Sequence, residues 1–178
     1  RHRAVTLGDA VDVAADVLVA VSFQDTVDFG TGPLSAAGRT DIFVAKYAGS
    51  DSRPLWAVDF DAALFDFAWV ADIAVDARGE AVVTGTFTGV VDFGNGPLLA
   101  SGGSYDVFVA KLTGTAGTAL WSQRFGDVDI DQGSAVAIDL AGGAYVTGRF
   151  RGTVDFGGGP LSATGVGSWD IFLLRLGR

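Results

Sequence analysis

The sequence predicts an all-β fold made of repeated four-stranded antiparallel sheets, and three observations predict it. Three different strings recur along the chain in one register, about 64 residues apart. The segments between glycine clusters are short and rich in Val, Phe, Thr and Tyr, with the length and composition of strands. Glu80 is the only glutamate among 21 acidic residues, and the aspartates that make up the rest favour turns over helix interiors.

The first string, VDFGxGPL, runs over Val27–Leu34, Val91–Leu98 and Val154–Leu161, and places Asp28, Asp92 and Asp155 in equivalent positions. The second, D-[IV]-F, opens at Asp41, Asp106 and Asp170. The third, L-W-x-x-x-F, covers Leu55–Phe60 and Leu120–Phe125. Phe23, Phe87 and Phe150 mark a further shared position before each VDFG. The repeat units expected from this register are approximately 1–60, 61–125 and 126–178 of a single repeat domain.

The third copy shows the elements of one unit in order. Ala135–Asp139 reads as a first strand, Ala141–Gly143 as a turn and Ala144–Phe150 as a second strand. The glycine-rich Gly152–Gly165 carries VDFGGGPL and is expected to form a hairpin or long loop projecting from one end of the sheet. Asp170–Leu176 is a third strand, and the L-W-x-x-x-F string supplies the fourth. The runs IFVAKY, VFVAKL and IFLLRL are almost continuously apolar, as expected of strands covered on both faces. Four strands per unit, repeated around an axis, is the plan of a β-propeller blade, with the first strand innermost and L-W-x-x-x-F outermost. At the start of the chain, Ala4–Leu7 and Ala10–Val13 read as two short runs separated by Gly8-Asp9. Two residues reach about 7 Å, whereas an outer-to-inner crossover spans about 14 Å. Ala4–Leu7 is therefore not expected to be an ordinary outer strand.

The combination VTGxFxGTVDFGxGPLxxxGxxDIFVAKL followed by LWSxRFGD resembles the bacterial SBBP β-propeller repeats over Val17–Leu176. The resemblance implies a propeller fold and an extracellular or cell-surface setting, and it transfers no catalytic residue. The first copy departs from it, with Ala20-Val21-Ser22-Phe23 in place of Val-Thr-Gly-x-Phe, a substitution read as having no important effect. Three blades are fewer than the usual four to eight, and their end faces would be apolar. Further blades are therefore expected, from a longer chain or from a second copy, with a self-contained three-bladed toroid as the remaining alternative. The chain contains no methionine, which marks it as an expected excised or processed piece.

Composition excludes several function classes. The net charge of −9 disfavours nucleic acid as a partner. No apolar run is long enough to span a membrane as a helix. With no cysteine there is no disulfide or thiol chemistry. His2 is the only histidine and sits at the terminus, so a Ser-His-Asp constellation and a multi-histidine metal site have no support. The glycine clusters lack the lysine of a phosphate loop. The chain is therefore expected to be a non-enzymatic structural or ligand-binding platform. The alternatives are a subunit that assembles through blade faces and edges, and a carbohydrate-binding lectin.

Candidate residues fall into three groups. Asp28, Asp92, Asp155, Asp41, Asp106 and Asp170 recur in every copy. They read as a carboxylate ring or as turn chemistry, and identical placement fits the structural role better. Asp127, Asp129 and Asp131 alternate before Gly133 and leave two readings open, a calcium loop with no closing glutamate or a solvated acidic loop. Trp56 and Trp121 are repeat-equivalent and are expected to pack between blades. Trp69, in the crossover Ala62–Val70, and Trp169 are not repeated in type, and Tyr105 takes the place of Trp169 in the second copy. These three aromatics are the candidates for stacking on a sugar or sealing a protein interface.

Overall fold

The computed structural model describes residues 6–165 and 167–177. His2 and the first two residues of Ala4–Leu7 lie outside them. The described chain contains seventeen strands and no helix.

The first sheet contains β1 (Thr6–Val11), β2 (Val17–Phe23), β5 (Asp41–Tyr47) and β6 (Pro54–Phe60), antiparallel in that spatial order. A small hairpin, β3 (Thr26–Asp28) and β4 (Pro33–Ser35), is inserted between β2 and β5. The second sheet repeats this plan with β7 (Ala68–Val75), β8 (Ala81–Phe87), β11 (Asp106–Leu112) and β12 (Ala119–Phe125). Its inserted hairpin is β9 (Val90–Asp92) and β10 (Pro97–Leu99). The third comprises β13 (Gln132–Ile138), β14 (Ala144–Phe150) and β17 (Asp170–Leu176), with β15 (Thr153–Asp155) and β16 (Pro160–Ser162) as its hairpin. Among the described residues the third sheet has three strands, not the four expected, because no L-W-x-x-x-F strand pairs with β17.

The sheets stack in chain order. Each uses its middle strands to bury one face against the next. Leu18, Ala20, Ile42 and Val44 of the first sheet meet Ala81, Val83, Phe108 and Ala110 of the second. On the opposite side of the second sheet, Val82, Val107 and Val109 meet Ala144, Val146 and Phe172. This is why β8 and β11 are buried at every position. Among the described residues nothing packs over the outward face of β17, and Ile171 and Leu173 are left 84% and 75% exposed.

The VDFGxGPL segments form hairpins, as expected, but they do not simply project. Each folds its valine and phenylalanine inward. Val27, Val91 and Val154 are buried. The phenylalanine lies against that of its own third strand, with ring centroids 4.4 Å apart for Phe29–Phe43, 5.0 Å for Phe93–Phe108 and 4.4 Å for Phe156–Phe172. In the second and third sheets it also reaches the preceding sheet's outermost strand, with Phe93 5.0 Å from Phe60 and Phe156 5.8 Å from Phe125. The second and third hairpins are thus wedges that close the outer ends of the two inter-sheet seams.

Two sequence readings are corrected. The runs around Gly8-Asp9 are one strand, β1, which pairs continuously with β2. Gly8 is not a turn residue: a Cβ there would come within 3.2 Å of the Asp72 Cα, so its absence lets β1 approach β7 closely. The first copy's Val21 also has structural meaning. Its equivalents Gly85 and Gly148 face bulged inner strands, with register shifts at Val70/Asp72 and Gly133/Ala135. A Cβ on Gly85 would sit 1.9 Å from the Trp69 carbonyl oxygen, and one on Gly148 2.0 Å from that of Gln132. β1 carries no bulge, so valine fits.

Candidate functional site

The residues that recur in every copy are engaged in holding the turns. Asp28, Asp92 and Asp155 each accept two backbone N–H bonds through Oδ1, from Gly30 and Gly32, Gly94 and Gly96, and Gly157 and Gly159, at 2.7–3.3 Å. These loop glycines have φ near +100°, a conformation that disfavours any side chain. At the third-strand position, Asp41 accepts from the amides of Ala37, Gly38 and Ala62. Asp106 accepts from Ser101 and pairs with the Arg124 guanidinium, while Asp170 accepts from Thr164. Trp56 packs on the seam between the first and second sheets and donates its Nε1–H to the Gly114 carbonyl at 3.0 Å. Trp121 packs on the following seam.

A further repeated device was missed in the sequence. Asp12, Asp76 and Asp139 open the turn after each innermost strand, where each accepts two amides. Each also pairs with a cation on the third strand: Lys46 at 2.6 Å, Lys111 at 3.6 Å and Arg175 at 3.3 Å. Burial acts to raise the Asp12 carboxyl, but Lys46 and the amides of Asp16 and Ala14 outweigh it and hold it below its ordinary value. The signal was the Lys/Lys/Arg at the sixth position of each third strand, inside a run read only for its apolarity.

The alternating aspartates are held separately. Asp131 is fully buried and accepts amides from Asp127 and Arg151, while Asp127 accepts from Asp129 and Thr153. Burial, followed by the charges of Asp127 and Asp106, pushes the Asp131 carboxyl up to about 6, although the two amides oppose the rise. Among the described residues no group of three or more His, Cys, Asp or Glu side chains is placed to hold a metal ion. At the outer rim of the first seam, a cleft of about 470 Å³ is lined by Asp59, Asp61, Asp92, Phe60 and Phe93. Burial, then a hydrogen bond with Asp41, raises the Asp61 carboxyl there to about 6.

The residues that break the repeat gather elsewhere. Trp69 is not in a loop; it is the second residue of β7, paired with Thr86. Its ring stacks on Phe67 at 4.8 Å and lies 5.7 Å from Tyr105. Between it and the third sheet lies a cleft of about 460 Å³, lined also by Thr86, Gln132, Ser134 and Arg149. Both bulges fall here, and their extra residues, Ala71 and Ser134, are part of the lining. Arg149 is exposed and donates through Nε and Nη2 to Gln132 Oε1 at 2.8 and 2.6 Å. Its guanidinium carbon lies 4.2 Å from the centre of the Trp169 ring, and that of Arg151 lies 4.3 Å from the same ring. Trp69 and Tyr105 are therefore in direct contact, and Trp169 joins them through Arg149.

The family model of the SBBP β-propeller repeat matches residues 120–149. That segment is similar to an SBBP repeat. The matched segment runs from β12 across the crossover through β13 to the penultimate residue of β14, so it contains Trp121, the Asp127–Asp131 loop, Gln132 and Arg149. The SBBP match therefore covers the third sheet's side of the cleft, and the spacing of VDFG and D-[IV]-F extends the same plan to the other sheets. No curated protein matches the chain. No helix among the described residues is long and apolar enough to cross a membrane.

Proposed function

We propose that the chain is a non-enzymatic, extracellular or cell-surface module of β-propeller blades that serves as a structural and binding platform. One observation carries this reading. The repeated aspartates and tryptophans hold turns, ion pairs or seams, while Trp69, Thr86, Gln132 and Arg149, which differ in type from their equivalents, line one cleft. Rigid stacked sheets with variable residues at strand ends are a scaffold for recognition. The repeated carboxylates accept backbone amides, which supports a structural role for them rather than acid–base catalysis or a resident metal. The test is to immobilise the chain and screen it against cell-surface polysaccharides and proteins while fractionating cells that make it. Saturable binding and an outer location support the platform; a soluble cytoplasmic protein with turnover activity would end it.

A second reading, assembly through the end faces, draws on Ile171 and Leu173 at one end of the stack and Phe29 at the other. Phe29 is 36% exposed, and no outermost-strand phenylalanine covers it as Phe60 covers Phe93. Sedimentation decides this: a strict monomer at micromolar concentration sinks it.

A further inference from the structure

We propose that the cleft bounded by Trp69 and Arg149 is a binding site for a carboxylate-bearing sugar. The inference rests on the platform reading and names the ligand class of its cleft. Three independent features lead to it.

The first is charge. In a chain of net charge −9, neither Arg149 nor Arg151 forms an ion pair among the described residues, although 20 aspartates are available across the sequence. Their side chains are held on an indole and, for Arg149, on the neutral amide of Gln132. The Arg151 Nε is buried and has no hydrogen-bond partner. Two guanidinium groups at 4.2 and 4.3 Å from one ring repel each other, and an anion beside them relieves that repulsion. A guanidinium fork matches a carboxylate.

The second is shape. Trp69 is half-buried and supported from one side by Phe67, which makes it a fixed aromatic platform at the cleft. Pyranose C–H faces stack on such rings. Thr86, Gln132 and Ser134 supply hydroxyl and amide groups to satisfy sugar hydroxyls, and about 460 Å³ suits one or two rings.

The third is the pattern of departure from the repeat. The structural positions equivalent to Arg149 hold Ser22 and Thr86, those of Arg151 hold Gln24 and Thr88, and those of Trp169 hold Thr40 and Tyr105. The seam does not require arginine or tryptophan at these places, since the other sheets are built without them. The two inner-strand bulges, in β7 and β13, also re-aim backbone at the same cleft, as bulges beside recognition sites do.

The experiment titrates the chain with short oligomers of galacturonic, glucuronic and mannuronic acid, followed by tryptophan fluorescence and calorimetry, with methyl-esterified galacturonate and inorganic sulfate as controls. At least one free acid is expected to bind and to weaken as salt rises. Its affinity should fall by about tenfold or more on esterification and in Arg149→Gln, whose exposed side chain is not needed for folding. Trp69→Ala should also lose binding, and Arg78→Gln, at a distant turn, should not change it. Failure of all three acids, equal binding of ester and acid, or sulfate binding as tightly as the sugar would overturn the proposal. So would an Arg149→Gln variant with unchanged affinity. The platform reading has separate readouts, location and the wider screen, so the two can fail independently.

Discussion

Truncating the hairpin phenylalanines one at a time should give three different costs from one chemical change. Phe93 is 1% exposed and sits between Phe60 and Phe108, each 5.0 Å away. Phe93→Ala removes a fully buried ring from both sides of a seam, which costs about 3–5 kcal/mol. Phe156 is half-buried but touches Phe125, Phe150 and Phe172, which places Phe156→Ala at about 2–4 kcal/mol. Among the described residues Phe43 is the one ring stacked on Phe29, which keeps 36% of its surface in water, so Phe29→Ala should cost about 1–2 kcal/mol. In a chain of this size each kcal/mol moves the melting temperature by about 2–4 °C. Phe93→Ala should therefore lower it by about 6–20 °C and Phe29→Ala by about 2–8 °C. Calorimetry on the monomeric chain, with urea titration as a second probe, measures the series. If Phe29→Ala cost as much as Phe93→Ala, the idea that each hairpin ring gains its stability by reaching the preceding sheet would be wrong.

The turn ion pairs should divide by burial: Lys111→Ala strands Asp76 at 5% side-chain exposure and should cost about 3–5 kcal/mol in urea unfolding, whereas Arg175→Ala, at a solvent-exposed pair, should leave the urea midpoint essentially unchanged. Asp131 holds its proton more tightly folded, at about 6, than unfolded, near 3.8, so its contribution is greatest below the unfolded value and is lost as pH rises through the folded one. The melting temperature of Asp131→Asn relative to the parent should therefore climb between about pH 4 and pH 7, and a flat difference would refute the assignment. Gly85→Ala drives a methyl into the Trp69 carbonyl and should cost about 3 kcal/mol or more, read as loss of the cooperative thermal transition or of soluble yield. Because the Asp127 and Asp131 oxygens are already occupied by amides, a calcium chelator should leave the melting temperature unchanged; a fall of several degrees would restore the calcium reading.

Much of the fold is legible because the repeat supplies its own internal controls. Ala144–Phe150 and Asp170–Leu176 are strands with the bounds that the sequence suggests. Errors arise where one residue type serves two physical purposes. Glycine usually punctuates strands, yet Gly8 lies within one because β7 presses against it. Trp69 was read into a loop because the crossover before it is apolar, and β7 starts earlier than the apolar pattern suggests. The hairpin's inward fold was hidden because VDFG alternates over too few residues to show which face is covered.

The candidate site was half visible. Aromatics stand out singly, so Trp69, Tyr105 and Trp169 drew notice from the sequence. Arg149 and Arg151 did not, because a charged residue at a strand end is ordinarily solvated. The informative signal was their absence from the other copies, combined with a spatial proximity that only the stacked sheets reveal. The aspartates carried the opposite lesson. Their identical placement pointed to turn chemistry more than to a ring of ligands, and each accepts neighbouring amides: regularity in a repeat protein reflects what every unit needs in order to fold.

The rings of the second and third hairpins overlap like roof tiles, each clasping the sheet laid before it. Such a stack has a direction. Tension applied at the C-terminal end should strip the last sheet first, releasing Phe156 from Phe125 while the seam held by Phe93 stays shut. Pulled from the other end, β1 must tear away from β7 before anything else yields. A protein anchored by one terminus would thus resist shear differently from one anchored by the other.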